Sequence, residues 1–485
     1  MRGRTRSALY ELSKYLGLLI AVLVFFLYIR SPQDADMWWH LRAGQVMWQT
    51  KSILLVDKFS YTRIGQPWVN AFWISELILY LVFKSGGYIG LTCLVSLIGG
   101  ATFYASYRNM RGNAFVNAFV VLLAAITAAP VWVPRPQILS FLLLALLDWW
   151  LEYSQNKHRL LYWFLIPIFI LWANVHGGWI WGFLLLMAHI TGNAFNKITS
   201  ASENTGPSWK ELFYLFFWTL AAIIAIGINP NGISIWKLPF RTVDVSMNIQ
   251  EWASPDFHQL EFHPFLWMLF LLLTSALVGR PKVNWGDLFK VVGFAYLTFI
   301  SQRNIGPFAI VTAPILAKWA NSAVENLANQ MQLRNTQSTS FLNPKVDALL
   351  KSVILIFISL AAIGRIYVVS IPSAVNKGLP TRAVQWLKEN PPSGPLFNSY
   401  NWGGYLTWAL PQIPVFIDGR ADLYGKDIIS QWQEVVQGTP EGFAVLEKWH
   451  IQAILLEPSW PIVKLLPYEG WTEAYHDNTA VIFIK

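Results

Sequence analysis

Uncharged apolar stretches of roughly 15 to 25 residues recur along the first three quarters of this 485-residue chain. Each is about the length an α-helix needs to cross roughly 30 Å of hydrocarbon. That recurrence excludes a soluble enzyme and a single-anchor protein. With 54% hydrophobic and only 13% charged residues, the apolar residues have to be arranged as repeated spans. Apolar length marks eleven candidate helices, near 15–29, 86–107, 114–133, 136–153, 160–173, 177–196, 211–228, 263–279, 286–301, 304–320 and 346–370. The first follows a basic start (Arg2, Arg4, Arg6) with no small-residue cleavage site behind it. It therefore reads as a retained helix rather than a removed signal peptide.

Charge sets the orientation. If the N terminus is cytoplasmic, the inner segments are about twice as dense in Lys and Arg as the outer loops of the membrane part, the direction the positive-inside rule requires. An odd number of helices then puts the C-terminal tail outside. The net charge of +9 belongs to these loops and to anionic lipid, not to nucleic acid. Cys93, the sole cysteine, lies in an apolar run and can form no intrachain disulfide.

Two compositional breaks divide the chain. Asn321–Pro344 is rich in Asn, Gln, Ser and Thr and reads as a flexible inner loop. After the last helix, apolar runs shorten to strand length at Val415–Ile417, Ala453–Leu456 and Ala480–Ile484, between helical patterns at Thr381–Asn390, Lys426–Gln437 and Gly442–Trp449. The expected fold is thus an all-α polytopic membrane domain, residues 1–372, with a long first extracytoplasmic loop at 30–84, followed by an extracytoplasmic α/β domain, 373–485.

On this topology the conspicuous polar motifs share the outer face, which places recognition or chemistry there; the plainer alternative is that polar helix ends simply face water. The first loop opens with Asp34-Ala35-Asp36-Met37-Trp38-Trp39-His40. Two neighbouring carboxylates can hold a divalent cation, or supply a base because one negative charge raises the pKa of the next; either can also cap an interfacial helix. Asp36, Asp34 and His40 are the catalytic candidates, and Asp34 and Asp36 the candidate ligands for Mg or Mn. Farther on, Trp68–Glu76 reads as an amphipathic surface stretch, with Glu76 either a second acid or, the favoured reading, a cap on its wet face.

Arg135, in Pro134-Arg135-Pro136-Gln137, and Arg303, in Gln302-Arg303-Asn304, run against the positive-inside trend. A guanidinium at the membrane edge suits a phosphate, or else an internal ion pair. Gln137 and His176, in Asn174-Val175-His176-Gly177-Gly178, complete the candidate phosphate-binding residues of the membrane part; a lone histidine is as readily structural. In the tail, Asn398–Tyr405 is dense in polar, aromatic and glycine residues, and Asp418, Arg420 and Asp422 follow a short apolar run where an α/β domain often contacts its ligand. The competing reading is a turn stapled by its own Asp–Arg pair.

These features together resemble the GT-C superfamily of membrane glycosyltransferases, in particular its RgtA/B/C/D and ArnT group: a long loop with acidic residues directly after helix one, interfacial helices in that loop, many spans and a C-terminal extracytoplasmic domain. A closer likeness, to a subgroup sharing Asp-x-Asp-x-Trp-Trp-His-Leu, Phe59-Ser60-Tyr61-Thr62, Arg135-Pro136-Gln137, Asn174–Gly178 and Asp418-Gly419-Arg420-x-Asp422-x-Tyr424-Gly425, carries no activity with it. The resemblance implies a polyprenyl-phosphate-linked sugar as donor, a glycan, lipid or protein as acceptor, and a multi-pass protein of the plasma (inner) membrane. It makes Asp36 the preferred base or metal-facing acid and Asp34 its partner. The Asp-Glu doublet common in this loop is Asp-Ala-Asp here, which puts a metal requirement in doubt.

Two rivals stand beside the transferase. A secondary transporter places ionisable groups at mid-membrane, where these helices carry little besides His189. A non-catalytic assembly protein would keep the fold and bind glycan or lipid. Arginines both paired to protein carboxylates would count against transfer.

Overall fold

The computed structural model describes residues 16–154, 159–199, 206–239, 250–282, 284–331 and 344–485. The basic start with Arg2, Arg4 and Arg6, and most of the Asn/Gln-rich loop, lie outside the described residues; the first part of that loop, as far as Gln330, continues the preceding helix.

Every expected apolar segment has a helical counterpart: α1 (Leu16–Leu27), α3 (Trp73–Arg108), α4 (Ala114–Ala128), α5 (Gln137–Ser154), α6 (Leu165–Val175), α7 (Trp179–Thr199), α8 (Trp209–Ala225), α9 (His263–Gly279), α10 (Trp285–Ile300), α11 (Ile305–Gln330) and α12 (Pro344–Val369). The additional α2 (Met37–Thr50) lies in the first long loop. Three helical stretches, Trp73–Arg108, Ala114–Val131 and Leu260–Gly279, are long and apolar enough to cross a membrane. Eleven such helices are therefore present among the described residues, and the length and composition of three suffice for a crossing. Large apolar side chains stand exposed on several of them, among them Phe115, Ile224, Leu277 and Phe357. A water-facing surface does not carry so many, whereas a lipid-facing one does.

The 36-residue α3 is longer than a bilayer is thick. Gly87 breaks it, with φ of 55° and ψ of −143° inside the helix, a backbone region open to glycine and strained for other residues. The part after the break coincides with the expected span at 86–107. The part before it, starting at Trp73, packs under α2, with Ser75, Glu76 and Leu79 buried. Glu76 thus corrects the expectation of a wet face. It is enclosed, accepting the Asn70 amide at 2.8 Å and facing His40 Nδ1 at 3.1 Å.

The tail contains α13 (Pro372–Val375), α14 (Thr381–Glu389), α15 (Tyr400–Ala409), α16 (Ala421–Gln437) and α17 (Pro440–Lys448), with β1 (Leu396–Asn398), β2 (Ala453–Leu456), β3 (Thr472–His476) and β4 (Val481–Ile484). The sheet order is β1-β2-β4-β3, with β1 parallel to β2 and the other pairs antiparallel. β2 is buried throughout and β4 nearly so, as their unbroken apolar sequences require. One apolar cluster of the tail, with Leu387, Leu396, Leu406 and Ile482, continues onto Met37, Trp38 and Leu41 of α2 and Leu79 of α3. The long loop and the tail therefore share a core.

Val415–Ile417 is the strand that does not form. It is buried, but the chain bends at Phe416 and its partners are a side chain and a loop. Asn398 Oδ1 accepts the Phe416 N–H and Asn398 Nδ2 donates to the Ile417 carbonyl, both at 2.8 Å. Val415 bonds on either side to Phe59 and Tyr61 of the long loop. Asn398→Ala would strand a buried N–H and a buried C=O, at about 1–3 kcal/mol each. Thermal unfolding of the detergent-solubilised full-length protein should drop accordingly, whereas Asn390→Ala at an exposed helix end should change stability by under about 0.5 kcal/mol.

Candidate active site

The entry of α2 separates the two acids. Asp34 Oδ1 accepts the backbone N–H groups of Asp36 (2.8 Å) and Met37 (3.1 Å), closing the helix start. Asp36 makes no capping bond. Its Oδ1 accepts the Trp39 indole N–H at 3.0 Å, which leaves the rest of the carboxylate facing outward from the helix end.

Arg135 meets both. The turn between its flanking prolines, bonded from Arg135 N–H to the Val133 carbonyl at 2.7 Å, aims the side chain at the start of α2. Nε donates to Asp34 at 2.6 Å, and Nη1 lies 2.9 Å from Asp36 Oδ2. The far edge of the guanidinium binds Glu251 bidentately, both bonds at 2.7 Å. Three carboxylates thus surround one buried arginine, the pairing a buried charge needs. Glu251 carried no sequence signal beyond a carboxylate beside Trp252 in a loop between spans.

The turn of Glu251 is tied to that of Arg303 by the Gln302 N–H, which donates to the Ala253 carbonyl at 2.9 Å. The Arg303 guanidinium lies 4.6 Å from the centre of the Trp252 ring. No hydrogen bond or ion pair reaches it from the described residues, although the acids of the cluster act on its charge. The tail closes the cluster from the other side: a β-carbon placed on Gly419 would fall 1.8 Å from Asp36 Oδ1. Tyr400, at the start of α15, also faces this charge; burial and then Asp36 push its phenol pKa upward.

The remaining candidates fall elsewhere. Gln137 turns back to the Val131 carbonyl at 2.8 Å and holds its own turn. His40 is buried against Glu76 and the Trp39 ring. His176 Nδ1 accepts the Gly178 N–H at 2.9 Å and faces the Ser140 hydroxyl at 2.8 Å. Burial, then the Arg303 charge, holds that imidazole neutral with its pKa near about 3. Asp418 and Arg420 form a fully buried pair, so their charged groups face the interior rather than an open surface. Asp422 occupies the first turn of α16, where a carboxylate complements the helix N terminus.

The expected divalent cation does not fit this arrangement. The oxygens of Asp34, Asp36 and Glu251 converge on Arg135, whose guanidinium already supplies the positive charge. Among the described residues no group of three or more His, Cys, Asp or Glu side chains is placed to hold a metal ion.

The electrostatics separate the acids further. Burial lifts the Asp36 pKa to about 7, with Asp34 and Glu251 adding to the rise and Arg135 opposing it. For Glu251 burial acts upward too, but Arg135 and Arg303 outweigh it and hold the group near about 2. Of Asp36 and Glu251, Asp36 is the acid whose pKa burial carries toward neutrality. Arg135→Met removes a charge that favours the ionised form, so Asp36 should titrate above 7. A carboxyl band in difference infrared spectra, assigned by its loss in Asp36→Asn, reads that shift.

No protein-family model matches the chain, and no curated protein does. Solved structures do. The archaeal oligosaccharyltransferase AglB from Archaeoglobus fulgidus, in complex with an inhibitory peptide and a dolichol-phosphate, aligns with a TM-score of 0.60 at 12% identity, over 91% of this chain and 69% of that one. The apo form of the Archaeoglobus fulgidus oligosaccharyltransferase gives 0.54 at 12% identity, over 90% and 69%. ArnT from Cupriavidus metallidurans, bound to undecaprenyl phosphate, gives 0.51 at 14% identity, over 96% and 97%. The chain shares the fold of these proteins across nearly its whole length.

Proposed function

We propose that this protein is a membrane glycosyltransferase that moves a sugar from a polyprenyl-phosphate donor to an acceptor on the extracytoplasmic face. The observation that carries the reading is the placement of Asp36: a carboxylate held by Arg135 and Trp39 at the edge of the helical bundle, its pKa raised by burial to about 7, beside a second arginine that lies on the Trp252 ring. The fold supports it, since neighbours that share it are solved with dolichol-phosphate and undecaprenyl phosphate.

The chemistry follows from the placement. Asp36 accepts the proton of an acceptor hydroxyl or amine as its heteroatom attacks the anomeric carbon. The bond from that carbon to the phosphate oxygen breaks, and the polyprenyl phosphate leaves with the electron pair. Arg303, stacked on Trp252, is the cation free to meet the growing phosphate charge. Arg135 is the lesser phosphate candidate because carboxylates already occupy its donors; its role here is to orient Asp36.

Arg135 being paired also favours the assembly-protein alternative, and turnover separates the two. In vesicles carrying a polyprenyl-phosphate sugar, Asp36→Asn should lower kcat by about 10²–10⁴-fold, and the wild-type rate should rise with pH through about 7 as Asp36 loses its proton. Full turnover in that variant would exclude Asp36 as the base; no transfer by the wild type with any such donor would leave the assembly protein. Arg303→Met should raise the donor KM and lower kcat, because the lost charge contacts both the bound phosphate and the leaving one.

A further inference from the structure

We propose that the buried Asp57–Arg420–Asp418 triad is a positioning device that presses the tail onto Asp36, so that the tail forms one wall of the active site and fixes the direction of the base. The inference rests on Asp36 being that base.

Arg420 and Asp418 belong to the tail and Asp57 to the first long loop, and all three are buried to within about 1%. Arg420 Nη2 donates to Asp418 Oδ2 at 2.7 Å and Nε to Oδ1 at 2.9 Å. Nη1 lies 2.7 Å from Asp57 Oδ1. This last contact is ionic without an aligned N–H, so Nη1 has no other satisfaction. The guanidinium is packed against Phe59 and Trp68, 4.9 and 5.0 Å from their ring centres. Tyr424 donates its hydroxyl to Asp418 at 3.0 Å. Nothing in this arrangement is open to a ligand, which removes Asp418 and Arg420 from the substrate-binding candidates.

Asp57 in turn builds the loop it stands in. Its carboxylate accepts the N–H groups of Phe59 and Ser60, both at 3.1 Å, and the Ser60 hydroxyl at 2.7 Å. The same loop receives the tail through the Val415–Phe59 and Tyr61–Val415 backbone bonds, at 3.0 and 3.1 Å, and through the Thr62 hydroxyl, which donates to the Phe416 carbonyl at 2.6 Å. Between these ties and Arg420 lies Gly419, whose missing side chain is the space Asp36 Oδ1 occupies. Gly404 makes a second close approach, to the Ala35 carbonyl. The chain from Asp57 through Arg420 to Gly419 therefore ends on the carboxylate that Arg135 and Trp39 hold from the other side.

Amide hydrogen exchange on the full-length protein tests the link without reference to activity. Asp57→Asn should raise exchange in 415–421 and in 34–40 together. Gly419→Ala, which sets a β-carbon against Asp36 and removes no side chain of the triad, should raise exchange in 34–40 and lower kcat by about 10- to 100-fold with donor KM unchanged. Arg420→Lys should retain part of the protection that Arg420→Met loses. Protection of the α3 segment after Gly87 reports that each variant is folded; should Asp57→Asn not fold, Gly419→Ala decides alone. Exchange in 34–40 that stays at the wild-type level in Gly419→Ala overturns the proposal. Unimpaired turnover of Asp36→Asn with the exchange link intact would instead remove the base and leave the positioning device standing.

Discussion

A guanidinium can leave water only where carboxylates meet it, because an unpaired buried charge costs several kcal/mol. Among the described residues two arginines are buried under that constraint, and their partners come from segments far apart in sequence. Arg135 gathers the start of α2 and the loop carrying Glu251. Arg420 gathers the first long loop and the tail. Between them they fix where the polar ends of the bundle stand relative to the tail. Removing Arg420 would leave Asp57 and Asp418 enclosed without a counter-charge, a loss of about 3–5 kcal/mol for a buried pair; removing Arg135 would cost less, because Glu251 is half-exposed.

The first cluster is not neutral, and the imbalance is what makes it chemically useful. Three acids face Arg135, with Arg303 one turn farther on. Glu251 stays ionised because both arginines act on it. Asp34 is engaged by two backbone N–H groups and Arg135 Nε. Asp36 is left with an indole N–H and a share of Arg135, and burial raises its pKa. Of the two arginines that broke the charge trend, one is consumed in this balance and the other stands beside it on an aromatic face.

The helices were legible because apolar length is a local property, and each expected segment has its counterpart. Misreadings arose where a long-range partner decided the outcome. Trp73–Ser85 continues α3, but Glu76 and Lys84 interrupt the apolar run, so length alone placed the start near Gly87. Val415–Ile417 has the composition of a strand, yet Asn398 and the Phe59–Tyr61 backbone take its hydrogen bonds. Asp418 and Arg420 read equally as ligand contacts or a stapled turn; burial beside Asp57 decides for the staple. Asp34 and Asp36 were visible as a pair, while Glu251 and Asp57 are lone loop acids with no pattern. Only the oddity of Arg135 hinted that an acid must be waiting for it. Gly419 looked like a turn residue and is instead a gap that a carboxylate fills.

The central claim is that the Asp36–Arg135 cluster and Arg303 form one site for a lipid-linked phosphate and its sugar. A structure of the protein with a polyprenyl-phosphate sugar analogue tests it most directly. The account predicts phosphate oxygens within hydrogen-bond reach of the Arg303 guanidinium and the anomeric carbon on the side of Asp36, with Arg135 still held by its three carboxylates. A phosphate bound away from Arg303, or Arg303 paired to a protein carboxylate with ordinary lipid in the groove, would contradict it.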